Sequence, residues 1–215
     1  CCPTRAVGAP GDGEGHRQGH AEAVQVTDGG KIVHLYRGTT TALANEIAAE
    51  TLVPQLRQRF ADRMLYAPTE SEVTSWARSL PAVSRELLAA GLNDVEVLVE
   101  YFLPLTSKRA DVVIVGSHPS TKAISAVVWE NKQWTSGDIA DVEDRVVSIA
   151  GRLTLHPQQQ VHQYVEYITD FNHLTHDGSL VVSGLAFLHN ATSGEVAPLR
   201  ATSLADLSKY PMFSG

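Results

Sequence analysis

The chain of 215 residues has only two cysteines, Cys1 and Cys2, side by side at its start. Adjacent cysteines cannot staple a fold together, and no further pair exists to build a zinc site. A disulfide-framed scaffold is thereby excluded, and a reducing, cytoplasmic setting is the expectation. No apolar run approaches the roughly 20 residues that cross a bilayer, so no membrane span is expected. No G-x-x-x-x-G-K-[S/T] phosphate loop occurs, so the chain shows no ATPase of its own. Basic residues are in the minority: 17 Lys and Arg against 24 Asp and Glu leave a formal charge of −7. That excludes a wholly basic surface, although an acidic protein can still carry a local basic groove.

What remains is an ordinary globular composition, 43% apolar and 19% charged, long enough for one substantial core or two small ones. The stretch "GAPGDGEGHRQGH" has too little apolar content to pack, so residues 1–30 are expected to be a disordered extension. His16 and His20 within it are a weaker candidate for a metal pair. The folded domain is expected over 31–195, with 196–215 a tail or the start of a truncated following region.

From Lys31, "KIVHLYRG" reads as a short strand or lead-in. Leu43, Ile47, Leu52, Leu56 and Phe60 then recur at helical spacing, with Pro54 as a break or kink. Thr69 followed by Glu72 predicts a capping box at a helix start. Pro81 predicts the first turn of a second helix, and Gly91 its C-terminal cap. "VEVLVEYFLP" (Val95 to Pro104), "DVVIVG" and "ISAVVWENKQW" are β-rich and closely spaced, which predicts an antiparallel meander. A further strand is expected around Val146. In "PQQQVHQYVEYITDF", Val161, Tyr164, Val165 and Ile168 share one helical side and Pro157 suits the first turn. "SLVVSGLAFLHN" (Ser179 to Asn190) follows as a buried strand, parallel to the sheet because a helix precedes it. The fold class is α/β, a mixed β-sheet flanked by helices.

Two of these strands carry ionisable groups near their ends, where an uncompensated charge is costly. Alternation puts Glu130 and Lys132 on one face of their strand, and Arg109, Asp111 and Val113 on one face of the strand before it. If the two strands pair, Asp111 approaches Glu130 and Lys132. Two carboxylates are suitable hard-oxygen ligands for Mg²⁺ or Mn²⁺, which would activate water and polarise a phosphate oxygen. A lysine beside them would stabilise charge developing at phosphorus. These parts suit phosphodiester hydrolysis. The plainer explanation is that Glu130 neutralises Lys132 and Asp111 pairs with Arg109, and on spacing alone it is the favoured one.

The surrounding text shifts that balance. "VEYFLPLTSKRADVVIVG", "AVVWENKQW" and "HPQQQVHQYVEYITDF" together resemble the PD-(D/E)XK nuclease superfamily. Gln160-x-x-x-Tyr164 is similar to the helix motif of its RecB-like branch. With "SWARSLP" (Ser75 to Pro81) ahead of them, the segments most resemble the amino-terminal nuclease-like region of bacterial schlafen-group DNA/RNA helicase proteins. The resemblance runs from about Leu35 to Asn190 and implies a restriction-endonuclease-like sheet. It implies Asp111 and Glu130 as metal ligands for Mg²⁺ or Mn²⁺, Lys132 as the catalytic lysine, and Glu100 as a further ligand. Glu72 is a competing acidic residue, although capping explains it better. Gln160 and Tyr164 would lie beside the site as substrate or supporting contacts, with Arg109 nearby and Trp134 as a groove wall or a base-stacking surface. Gln133 is expected at the strand end. His156 would position the helix or touch phosphate, and His162 would sit on an outer helix face. Asn131 departs from the family, which has an apolar residue there; if buried, it needs hydrogen-bond partners.

The expectation is therefore a metal-dependent nuclease domain acting on nucleic acid, DNA above RNA, in repair or in defence against foreign DNA. A helicase or ATPase partner would be missing from this chain or act in trans. The alternative is a catalytically inactive nuclease-like module that binds nucleic acid or docks a helicase.

Overall fold

The computed structural model describes residues 33–118, 120–135, 139–143, 145–201 and 205–215. The expectation for residues 1–30, with both cysteines, His16 and His20, lies outside them. Strand β1 (Tyr36–Thr39) runs into helix α1 (Thr40–Ala48), whose first turn is capped by the Thr39 hydroxyl accepting from Ala42 N at 3.1 Å. Helix α2 (Leu52–Met64) follows. The single periodic run is thus two helices, separated where Glu50 takes a left-handed φ of 56°. Pro54 does not make the break. It sits in the first turn of α2, where no helical N–H is lost.

Helix α3 (Glu70–Ala89) starts on the predicted capping box between Thr69 and Glu72. The predicted second helix does not exist: α3 runs straight through Pro81. An interior proline costs about 3 kcal/mol. The apolar stripe of Trp76, Leu80, Val83 and Leu87 spans it unbroken, and burying that stripe outweighs the loss. Gly91 ends the helix at φ +73°, with Leu92 N bonded to Leu87 O and Gly91 N to Leu88 O, so the predicted cap is present.

Strands β2 (Glu96–Phe102), β3 (Arg109–Ser117) and β4 (Ile124–Lys132) form the expected antiparallel meander. Three short strands, β5 (Ile139–Glu143), β6 (Val146–Ile149) and β7 (Arg152–Leu155), then make a separate antiparallel sheet, of which the sequence pattern disclosed only the part around Val146. Helix α4 (Pro157–Phe171) and the short α5 (His173–His176) lead to β8 (Leu180–Leu188), which lies parallel to β4 as expected. Helix α6 (Ser193–Ala201) and strand β9 (Met212–Ser214) close the chain. The large sheet is six-stranded and mixed, in the order β1-β2-β3-β4-β8-β9.

Both faces of this sheet are covered, which is why its central strands read as near-continuous apolar runs. Val97, Val99, Val112, Ile114 and Trp129 pack against α1, α2 and α3. Leu98, Val113, Ala126, Val128 and Leu188 pack against α4 on the other side. Within 196–215, expected as a tail or a following region, Val196, Leu199, Tyr210 and Met212 are buried in this second core, and β9 extends the sheet. No helix among the described residues is long and apolar enough to cross a membrane.

Candidate functional site

The site lies where β3 begins and β4 ends, under the first turns of α4. Antiparallel pairing places Val112 opposite Trp129, so the next step along each strand brings Asp111 beside Glu130. Asp111 Oδ2 accepts the backbone N–H of Asn131 at 2.8 Å, which ties that carboxylate to β4. On the α4 side, Lys132 Nζ donates to Glu130 Oε1 at 2.8 Å and to Gln160 Oε1 at 2.9 Å. Gln160 Nε2 donates to Glu130 Oε1 at 2.7 Å and to the Tyr164 hydroxyl at 2.9 Å. Gln160 and Tyr164 are four residues apart and so share one face of α4. The sequence-predicted set Asp111, Glu130, Lys132, Gln160 and Tyr164 is thus gathered in one place.

His156 holds the helix that delivers Gln160. Fully buried, it accepts from Gln158 N through Nδ1 at 3.3 Å, and its Nε2 lies 3.2 Å from Leu199 O. Of its two expected roles it takes the positioning one. His162, expected on an outer face, instead meets the Tyr210 hydroxyl at 3.3 Å and Glu166 at 3.2 Å.

Arg109 departs from expectation. It does not share a face with Val113 but turns to the α2–α3 side, over the rings of Phe60 and Phe102. There it pairs with Glu72 at 2.7 Å and Glu100 at 3.2 Å. Glu72 therefore caps α3 and anchors Arg109 together. Of the plainer explanation, the Glu130–Lys132 pair is present and the Asp111–Arg109 pair is not, because that guanidinium is engaged by two other carboxylates. Glu100 stands beside Asp111 across the β2–β3 pair, with a left-handed φ of 53° inside a strand. Its oxygens take the Trp76 indole N–H at 2.7 Å and Arg109, a tie that sequence reasoning missed because it joins residues 24 apart.

The electrostatics are those of carboxylates crowded out of water. Burial, and then the Asp111 charge, push Glu130 up to about 8 despite Lys132. Burial and Asp111 also raise Glu100 to about 7. Asp111 is raised by burial, against the pull of Lys132, the Asn131 N–H and Arg109. Burial works against the Lys132 ammonium, but Glu130 and Asp111 outweigh it and hold its pKa up.

The donor set fits a divalent cation. Glu130 is 2% exposed, and its Oε2 has no hydrogen-bond partner among the described residues, while Oε1 receives two donors. A buried carboxylate oxygen without a donor, next to a second carboxylate, takes up a proton or a cation. Asp111 and Glu130 are the two available ligands; Glu100 is near, with its oxygens turned to Trp76 and Arg109. No group of three or more His, Cys, Asp or Glu side chains poised around one metal position occurs among the described residues.

Beyond Lys132, the Trp134 ring lies 5.4 Å from its ammonium. Asn131 is 9% exposed on the α3 side of β4, where its Oδ1 accepts the Trp129 indole N–H at 3.1 Å. The partner that position demanded is thus present for half of its amide. A cavity of about 530 Å³ opens there between the start of α3 and the end of β4, lined also by Gln133. No family model, curated protein or solved structure matches the chain.

Proposed function

We propose that the chain is a metal-dependent nuclease on a restriction-endonuclease-like sheet, hydrolysing phosphodiester bonds in nucleic acid, with DNA the first substrate to try. The observation that carries this reading is the buried, donorless Oε2 of Glu130, on the strand step beside Asp111, with Lys132 bonded to Glu130 and its charge acting on Asp111. An isolated surface ion pair would leave no such oxygen in the interior, since burying it uncompensated costs several kcal/mol.

Asp111 and Glu130 would hold Mg²⁺ or Mn²⁺, whose chemistry is to polarise a phosphate oxygen and acidify water. The remaining work falls to the chain's own groups. Lys132, fixed between Glu130 Oε1 and Gln160 Oε1, supplies positive charge for the oxyanion that builds at phosphorus. Gln160 orients Lys132 and Glu130 at once, and the Tyr164 hydroxyl orients Gln160. Arg109 pairs with Glu72 and turns the oxygens of Glu100 toward itself and Trp76, and it is a positioning residue, not a catalytic one.

Purified protein should cleave single-stranded, duplex or branched DNA with Mg²⁺ or Mn²⁺ and stop when a chelator is added. Asp111→Ala and Lys132→Ala should each lower the rate on the order of 10²–10³-fold. Cleavage that ignores both substitutions and the chelator would remove the assignment. A second reading, a nuclease-like module that binds nucleic acid or docks a helicase without cutting, draws on the closed Lys132–Glu130 contact, in which the ammonium already neutralises a carboxylate. It expects salt-sensitive binding with no cleavage under any divalent ion.

A further inference from the structure

The cavity between α3 and β4 contains a group that the catalytic cluster does not use. An indole N–H only donates, so the Trp129 contact fixes which way round the Asn131 amide sits: Oδ1 toward Trp129, Nδ2 on the other side. That Nδ2 is buried and finds no acceptor among the described residues. Asn131 lines the cavity together with Ser71, Thr74 and Ser75, which share one face of α3, and with Lys132 and Trp134. The wall is rich in hydrogen-bond donors, and its one carboxylate, Glu70, is paired with Arg57 at 3.1 Å. At about 530 Å³ the space is within the roughly 300–1,000 Å³ of small-ligand sites.

An amide N–H group without an acceptor, with hydroxyls around it, suits an oxygen-rich ligand, and the flanking indole offers a flat surface for a ring. We propose that the cavity seats one unpaired nucleotide next to the cut bond. Asn131 Nδ2 and the α3 hydroxyls donate to its phosphate oxygens, and Trp134 stacks on its base. A base within a duplex is stacked on both faces and paired along one edge, and freeing it costs a few kcal/mol, so the preferred substrate is single-stranded nucleic acid. The inference rests on reading Lys132 as catalytic, because that residue joins the cavity to the carboxylates.

The test is binding in the presence of a chelator, read by anisotropy of a labelled single-stranded DNA oligonucleotide and of its blunt duplex. The single strand should bind about tenfold or more tightly than the duplex, and Trp134→Ala should remove about tenfold of that affinity. Asn131→Asp keeps the oxygen that Trp129 needs and replaces the donor by an anionic oxygen. It should weaken single-strand binding at least as much, measured below the melting temperature of the variant, which the new buried charge lowers. Should Asn131→Asp fail to fold, the Thr74→Ala/Ser75→Ala double variant on the helix surface takes its place, with the same loss expected. Equal affinity for the two DNA forms overturns the proposal, as does wild-type affinity in the folded Asn131→Asp or the double variant. Cleavage with Mg²⁺ is scored apart: a protein that cuts but shows no strand preference loses the cavity and keeps the nuclease, and one that prefers single strands but never cuts does the reverse.

Discussion

His156 shows how a single ring can set a helix and respond to pH. Its Nδ1 accepts a helix N–H while its Nε2 faces a carbonyl, an arrangement that only the neutral imidazole satisfies. Burial accordingly lowers its pKa from 6.5. The folded state binds its proton less readily than the unfolded chain does, so this contribution to stability is complete above about pH 6.5 and is lost as pH falls below it. Replacing His156 by Ala should cost about 2 kcal/mol or more in urea unfolding near neutrality, through the lost cap and the space left behind. Asn, a good cap, should recover part of this, and the gap between wild type and His156→Asn should narrow toward acid. A gap that widens below pH 6.5 would contradict the neutral assignment. The sequence made His156 legible as a helix neighbour from the following proline, but nothing local pointed to Leu199, 43 residues on.

At the scale of elements, the approach of α4 to β8 governs whether Gln160 and Tyr164 reach the carboxylates. Gly184 is the point of closest contact: a Cβ there would collide with Val161 Cγ1 and lie 3.0 Å from Val165 Cγ2. Both valines flank the Gln160–Tyr164 pair on the same helix. Gly184→Ala should therefore cost about 1–3 kcal/mol by overpacking and should lower cleavage more than substrate binding, since the helix must withdraw from Glu130. Thermal melts and separate kcat and KM values check this; an unchanged kcat in a destabilised variant would show that α4 can shift without moving Gln160. Helix α4 was readable from its period, and the meander and the parallel return of β8 from apolar, β-rich runs with clean punctuation. The prolines misled, because Pro54 and Pro81 are local signals whose meaning depends on what the helix buries. The strands β5 to β7 are too short for a period to emerge.

For the whole molecule, the balance of charge at the centre links metal, proton and stability. Burial, reinforced by Asp111, raises Glu130 to about 8, so the metal-free folded chain keeps a proton that the unfolded chain releases near 4.5. Stability from this group is present at low pH and is lost as pH rises toward 8. A cation bound to the ionised form restores it over the same interval. The rise in melting temperature on adding Mg²⁺ should then be larger at about pH 8 than at about pH 5.5, and should vanish in Glu130→Gln. Taking the difference with and without Mg²⁺ cancels the buried His156 and the half-buried His34 and His189, whose lowered pKa values act in the opposite direction. A Mg²⁺ effect that is flat with pH, or that survives Glu130→Gln, places the ion elsewhere.

Periodicity and capping chemistry are local, so the β2–β4 meander, helix α4, the Thr69–Glu72 start of α3 and the shared face of Glu130 and Lys132 could be read from neighbouring residues alone. Which partner each charge takes could not. Arg109 reaches Glu72 across 37 positions, Asp111 reaches the backbone of Asn131 across 20, and the last residues join a core begun at Leu98. Those choices depend on distances between elements, which arise only when both faces of the sheet are packed.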